Sequence, residues 1–169
     1  IFLTHTHDDH IGGLEGLLQL FPVEKIYAAK ITTNKKKGGN VMDEKAQKHG
    51  YTVHRLNSGD EIVLDPEFEQ VKFNVVGPIT FNAEDDNDNS LVMYLEAGPL
   101  SCLFTGDMQV AEEKTLLDAK LIKPSELLKV GNHGNPDASS HAFISTVSPK
   151  YAIISTDSRK DTDTPAPSV

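Results

Sequence analysis

"LTHTHDDHIGG", residues 3–13, decides how this chain is read: three of its seven histidines and two aspartates fall in six consecutive positions. The apolar triplet 1–3 reads as a short buried strand, and Gly12-Gly13 marks a turn. His5 and His7 are two apart, so along an extended segment their side chains point the same way and can reach one ion. Asp9 and His10 lie where the chain must turn, which aims them at a second ion beside the first. Imidazole with carboxylate is a natural donor set for Zn²⁺, Mn²⁺ or Fe²⁺. Two such ions about 3.5–4 Å apart can share a water, lower its pKa and hold it as hydroxide for attack on phosphorus or a carbonyl carbon. A polar loop of unpartnered histidines is the bland alternative. The spacing H-x-H-x-D-H between a strand and a glycine turn favours metal.

Outward from this cluster, strands alternate with helices. Leu14, Leu17, Leu18 and Phe21 have helical spacing, and "VEKIYAAK" (23–30) reads as a strand. "ITTNKKKGGN" (31–40) is a polar loop in which Lys35, Lys36 and Lys37 are expected to be solvated. "VMDEKAQKHG" (41–50) is a helix closed by Gly50, where His49 suits the helix dipole. "YTVHRL", "SGDEIVLD" and "VKFNVVGP" follow as strands, the first carrying His54 as a structural residue. After the acidic, Asn-rich loop 80–90, "LVMYLEAG" and "LSCLFTGD" form a hairpin through Gly98-Pro99. "VAEEKTLLDA" is a helix, "ELLKVGNHG" a strand running into a loop, "SHAFISTV" a helix with His141 at its surface, and "YAIISTD" a last strand. The expected class is α/β, with two packed mixed sheets and helices on their outer faces. Polar clusters follow three strand ends ("THTHDDH", "TGD" and "GNHG"), which is where such folds assemble a composite site.

At 169 residues the chain suits one domain, 1–169. It opens directly on a strand that runs into the cluster, so it is expected to be truncated at both ends. A net charge of -9 disfavours tight non-specific binding to nucleic acid, although bound divalent ions would reverse the local field. The single cysteine, Cys102, sits in an apolar stretch and reads as a core thiol. No apolar run approaches the length of a membrane span.

"HTHDDH" between an apolar strand and "IGG" resembles the first signature of the metallo-β-lactamase superfamily. "DNDNSLVMYLEAG", "LSCLFTGDM", "ELLKVGNHGN" and "VSPKYAIISTDS" follow in the order found in the metallo-β-lactamase-like domain of the competence protein ComEC and its free-standing relatives. "FPVEKIYAAK" and "LSCLFTGD" also resemble phosphorylcholine esterase, another branch of that fold. The resemblance implies an αββα sandwich whose first strands precede Ile1, and a site for two divalent ions, Zn or Mn. His5 and His7 would bind the first ion, Asp9 and His10 the second, Asp107 would bridge both, and His133 would complete the second or touch substrate. An N-cap before "VAEEKTLL" is the competing role for Asp107.

The chain departs from the family pattern at three places. Asn89 and Ser90 stand where many members carry a third histidine for the first ion, which argues against β-lactamase activity. Asn132-His133 replaces a pair of histidines, and Thr164 and Ala166 replace those of a terminal His-Pro-His stretch. The expected function is metal-dependent hydrolysis of a phosphodiester, small or polymeric, with Asp9, Asp107 and His133 catalytic. The alternative is a catalytically degenerate module that keeps the fold for a structural or ligand-binding role.

Overall fold

The computed structural model describes residues 1–30, 41–64, 71–157, 159 and 163–169; the Lys35–Lys37 run lies outside them. In chain order the elements are β1 (Phe2–Leu3), α1 (Asp8–Ile11), α2 (Leu14–Leu20), β2 (Ile26–Ala29), α3 (Val41–Gln47), β3 (Val53–Leu56), β4 (Glu61–Val63) and β5 (Val71–Gly77). There follow β6 (Val92–Ala97), β7 (Leu100–Phe104), α4 (Val110–Asp118), β8 (Leu127–Lys129), α5 (His141–Val147) and β9 (Tyr151–Ile153). β1, β2 and β3 form a three-stranded parallel sheet. The remaining strands form a six-stranded sheet in sequence order, antiparallel from β4 to β7 and parallel across β7, β8 and β9.

Three apolar clusters show how the layers stack. Leu3, Ile26, Ala28 and Val53 meet Ile11, Leu14, Leu18, Met42 and Ala46, which seats α1, α2 and α3 on the outer face of the small sheet. Ala29 and Leu56 meet Val75, Leu91 and Met93 with Phe2, Tyr27, Phe73 and Phe104 around them, so the two sheets face one another. Val92, Tyr94, Leu103 and Leu128 meet Leu116, Phe143 and Val147, which seats α4 and α5 on the far face of the large sheet. Alternation explains the sorting: Val92 and Tyr94 point one way, Met93 the other. The result is helix, sheet, sheet, helix, as the pattern of strands and helices implied.

Some local expectations shift. The turn carrying Asp9 and His10 is a one-turn helix, α1. α2 is only seven residues long and buries Leu14 and Leu18 in line with Ile11, which leaves Leu17 and Phe21 exposed despite their spacing. The Gly98 hairpin forms, with Gly98 at φ +57, and Cys102 is buried. The His54 ring on β3 lies tilted against Tyr27 on β2, with centroids 5.6 Å apart, and His141 is exposed at the start of α5. Among the described residues no helix is long and apolar enough to cross a membrane.

Two adjacent carboxylates on α4 tie the helix to loops on either side. Glu112 accepts hydrogen bonds from Ile79 N–H (2.8 Å) and the Thr80 hydroxyl (2.6 Å). Glu113 accepts from Ser139 N–H (2.5 Å) and Ser140 N–H (2.9 Å). Both side chains are almost wholly buried, and burial pushes both carboxyls above the ordinary value. Removing Glu113 strands two donors at the loop that follows Gly134. Glu113→Ala should lower stability by about 1–3 kcal/mol with an unchanged denaturant slope. An unchanged urea midpoint would mean that the loop does not depend on this carboxylate.

Candidate metal centre

Three strand ends deliver the donors. β1 stops at Leu3, and the chain bends at Thr6 before His7, which brings the two rings together; His5 Nε2 lies 3.0 Å from His7 Nδ1. α1 then carries Asp9 and His10 one turn up. β7 stops at Phe104, and Thr105-Gly106-Asp107 follows, with the Thr105 hydroxyl donating to Lys129 O (2.7 Å) to lock this turn to β8. Beyond β8 the turn Gly131–Gly134 presents His133, with Asn132 and His133 both at positive φ (+41 and +55). Asp107 is not a helix cap, because α4 begins at Val110 with Gln109 before it.

Asp107 Oδ2 is the point of convergence. It lies 3.0 Å from His10 Nε2, 3.2 Å from His133 Nε2 and 3.8 Å from His5 Nε2. Asp9 Oδ2 lies 3.2 Å from His133 Nε2 and 3.5 Å from His10 Nε2, and the two imidazole nitrogens are 3.3 Å apart. One donor atom from each of Asp9, His10, Asp107 and His133 lies within 4.8 Å of every other. A tetrahedral ion with bonds of about 2.0–2.1 Å holds its donors about 3.3–3.4 Å apart, so these separations fit a divalent metal. The other oxygen gives a second sign: Asp107 Oδ1 is buried without a hydrogen-bond partner, and Lys129 Nζ stands off at 3.9 Å. A buried carboxylate oxygen in that state calls for a compensating charge.

Burial and charge set the protonation states. Burial, helped by the positive field of His10, pushes His5 down to about 4, so it is neutral at pH 7 with a lone pair to give. Burial alone would raise Asp107, but the hydrogen bond from His10 and the charges of His10, His5 and His133 hold its carboxyl below the ordinary value. Burial lowers Lys129, against the pull of Asp107 and Asp9. The centre is closed at His5 and Asp107 and open at His7 and Asp9.

The outer partners fix ring directions. His133 Nδ1–H donates to Ser155 O (2.6 Å), which leaves Nε2 facing the cluster. Ser90 Oγ accepts Asp107 N–H (2.9 Å) and lies 3.4 Å from His5 Nδ1, so it backs two site residues and does not replace a metal ligand. Asn89 is turned into its own loop, bonding Asn82 N, Asn82 O and Asp86 Oδ1. Asn132 points at Asp137 (2.9 Å), away from the cluster. Thr164 bonds the Thr156 hydroxyl (2.6 Å), and Ala166 N–H donates to Gly134 O (2.8 Å), so the tail braces the loop of His133. Sequence reading singled out His5, His7, Asp9, His10, Asp107 and His133. It passed over Thr4, Lys129 and Ser155, for which only adjacency to the motifs gave a signal.

The family model described as metallo-beta-lactamase superfamily matches residues 1–159. The chain belongs to the metallo-beta-lactamase superfamily. Within that superfamily it is 30% identical over 155 residues to ComE operon protein 3 of Bacillus subtilis, covering 92% of this chain and 19% of that protein. It is 27% identical over 155 residues to Recombination protein 2 of Haemophilus influenzae, covering 92% of this chain and 17% of that one. The chain thus spans less than a fifth of the length of these relatives. Among solved structures, CmlA, a diiron beta-hydroxylase from Streptomyces venezuelae, superposes with TM-score 0.62 at 12% identity, covering 89% of this chain and 34% of that chain. Igni18, a metallo hydrolase from the archaeon Ignicoccus hospitalis, superposes with TM-score 0.54 at 16% identity, covering 94% of this chain and 67% of that chain. At such identities the likeness shows the fold.

Gly106 is a tight point of the candidate centre. Its φ is +56, and an added Cβ would lie 2.7 Å from Ser90 Cβ and 3.0 Å from Thr4 Cβ. Gly106→Ala should therefore cost about 2–4 kcal/mol from backbone strain and overpacking together. Metal content should fall with it, read by denaturation and ion counting on the same sample. A variant as stable as the parent would show that Ser90 and Thr4 move aside freely.

Proposed function

We propose that the chain is a metal-dependent hydrolase acting on phosphodiesters, with two divalent ions, Zn or Mn, at this centre. The observation that carries the reading is the convergence of His10, His133 and His5 on one buried carboxylate oxygen, Asp107 Oδ2, at 3.0, 3.2 and 3.8 Å. His5 and His7 would hold one ion, Asp9, His10 and His133 the other, and Asp107 would serve both. When bound, the ions supply Lewis acidity, which lowers the pKa of water and offsets charge on the phosphoryl oxygens.

The chain's own groups account for the rest. Asp107 holds negative charge at a buried point between the two sets of imidazoles. Asp9, more than half exposed at 61%, is the carboxylate that an incoming water meets first and can take its proton. The open rim at His7 and Asp9 admits a phosphodiester from solvent, while the floor of His5 and Asp107 excludes water. The name of one relative, Recombination protein 2, keeps a nucleic-acid strand among the candidate substrates. The net charge of -9 favours a small or locally held phosphodiester over non-specific grip on a long strand.

A second reading, a degenerate module, is favoured by one observation: Asn89 and Ser90 are committed elsewhere, so His5 and His7 gain no third imidazole. Ion counting after chelation and reloading separates the two. Near two Zn²⁺ or Mn²⁺ per chain, with turnover of a generic aryl phosphodiester, is expected. A folded chain that binds neither ion, or binds two and turns over no phosphodiester, would sink the hydrolase. His10→Ala should lower kcat/KM by more than the roughly 100-fold typical of losing an outer partner of a ligand. Asp107→Asn should reduce the content of both ions, and unchanged content would remove Asp107 from the shared position.

A further inference from the structure

We propose that Thr4 is the positioning residue that couples the two halves of the centre, its single hydroxyl holding the Nδ1 edges of His5 and His10 at once. The inference rests on the metal-centre reading above. Thr4 Oγ1 lies 3.1 Å from His5 Nδ1 and 3.3 Å from His10 Nδ1. Those two rings stand side by side, with centroids 4.2 Å apart. His5 belongs to one ion's donor set and His10 to the other's, so one oxygen sits behind a ligand of each.

The chemistry of a hydroxyl suits this place. It has one proton and two lone pairs, so it can accept from two N–H groups. With both Nδ1 atoms protonated and donating to Thr4, both Nε2 lone pairs are left toward His7 and Asp107, the direction in which a metal must be met. For His5 a second acceptor stands at Ser90 Oγ, 3.4 Å from Nδ1, whereas His10 Nδ1 faces the Thr4 hydroxyl, and a proton on the Nε2 of either ring closes that ring to metal. In the absence of metal the hydroxyl can instead donate to His10 Nδ1 while His10 Nε2–H donates to Asp107 Oδ2. The same residue then serves the empty and the loaded centre. An aliphatic side chain of equal volume serves neither.

The surroundings hold Thr4 for this task. Its carbonyl accepts Leu91 N–H (2.9 Å), which pins the end of β1 to the start of β6 in the other sheet. Gly106 leaves room on the opposite side, where a Cβ would come within 3.0 Å of Thr4 Cβ. Thr6, two residues on, is spent differently: its hydroxyl donates to Asp86 Oδ2 (2.5 Å). His133 has its own partner in Ser155 O, so Thr4 serves the first-motif histidines alone.

The test uses the intact chain with Thr4→Val and Thr4→Ser, read by zinc titration against a competing chelator and by nitrogen-15 histidine NMR. The valine variant should bind both ions about 10–100-fold more weakly, the two constants falling together. The serine variant should restore both. In the loaded parent, His5 and His10 should carry their protons on Nδ1. Valine binding like the parent, or weakening at one ion only, would overturn the coupling. The parent spectrum decides even if the valine variant misfolds: Nε2 protonation of either ring in the loaded protein would overturn the proposal. A parent that binds two ions with an indifferent valine variant discards Thr4 alone. A parent that binds none discards the metal-centre reading and Thr4's role with it.

Discussion

A charge buried between imidazoles is the constraint on which this molecule turns. Asp107 is almost fully buried, yet its neighbours keep it ionised, which is costly unless opposite charge or hydrogen bonds surround it. His10 and His133 surround Oδ2, and Oδ1 has only the distant ammonium of Lys129. Those partners arrive from α1, the turn after β8 and β8 itself. The arrangement exists only if β1, β7 and β8 all end at the same rim, so the fold can be read as the means of holding that carboxylate.

The sheets meet this demand through apolar packing reinforced by a few polar ties. Phe2, Tyr27, Phe73 and Phe104 fill the space between the sheets and fix how far β1 reaches toward β7. Thr4 O to Leu91 N–H and Thr105 Oγ1 to Lys129 O then set the height of each strand end. On the far side, Glu112 and Glu113 anchor α4 to the 79–80 and 139–140 segments. Packing sets the distance between layers, and these bonds set the register of the loops.

What could be read from the sequence was what local periodicity encodes. H-x-H-x-D-H is a local pattern, and its consequence, His5 beside His7 and His10 one turn above, follows from strand and turn geometry alone. Alternation in "LVMYLEAG" likewise foretold two apolar faces. α2 shows the limit: Leu17 and Phe21 have helical spacing, but a seven-residue helix buries one narrow stripe, and the chain put Leu14 and Leu18 there. The partners of the donors were beyond reach. That Ser155 offers its carbonyl to His133, or that Thr4 backs two rings, depends on side-chain direction across strands far apart in the chain.

The same limit governs how the departures from the family pattern are understood. Asn132 sits at φ +41, a left-handed position that asparagine tolerates better than most residues, and its amide bonds Asp137. Thr164 and Ala166 brace the His133 loop through Thr156 and Gly134. The side chains of Asn132 and Thr164 and the backbone N–H of Ala166 support the loop that aims His133. The cluster of Asp9, His10, Asp107 and His133, with donor atoms within 4.8 Å of one another, forms without a histidine at any of the three. Asn89 and Ser90 are another matter, for they leave the first ion of the proposed centre with His5, His7 and a share of Asp107. Three protein donors with a position left open is the arrangement of catalytic zinc sites, whereas closed sets of four are the mark of structural ones. In the proposed centre the missing histidine thus has two consequences: it leaves the first ion a position open to water, as the hydrolase reading requires, and it removes a donor from that ion, which is what the degenerate reading rests on.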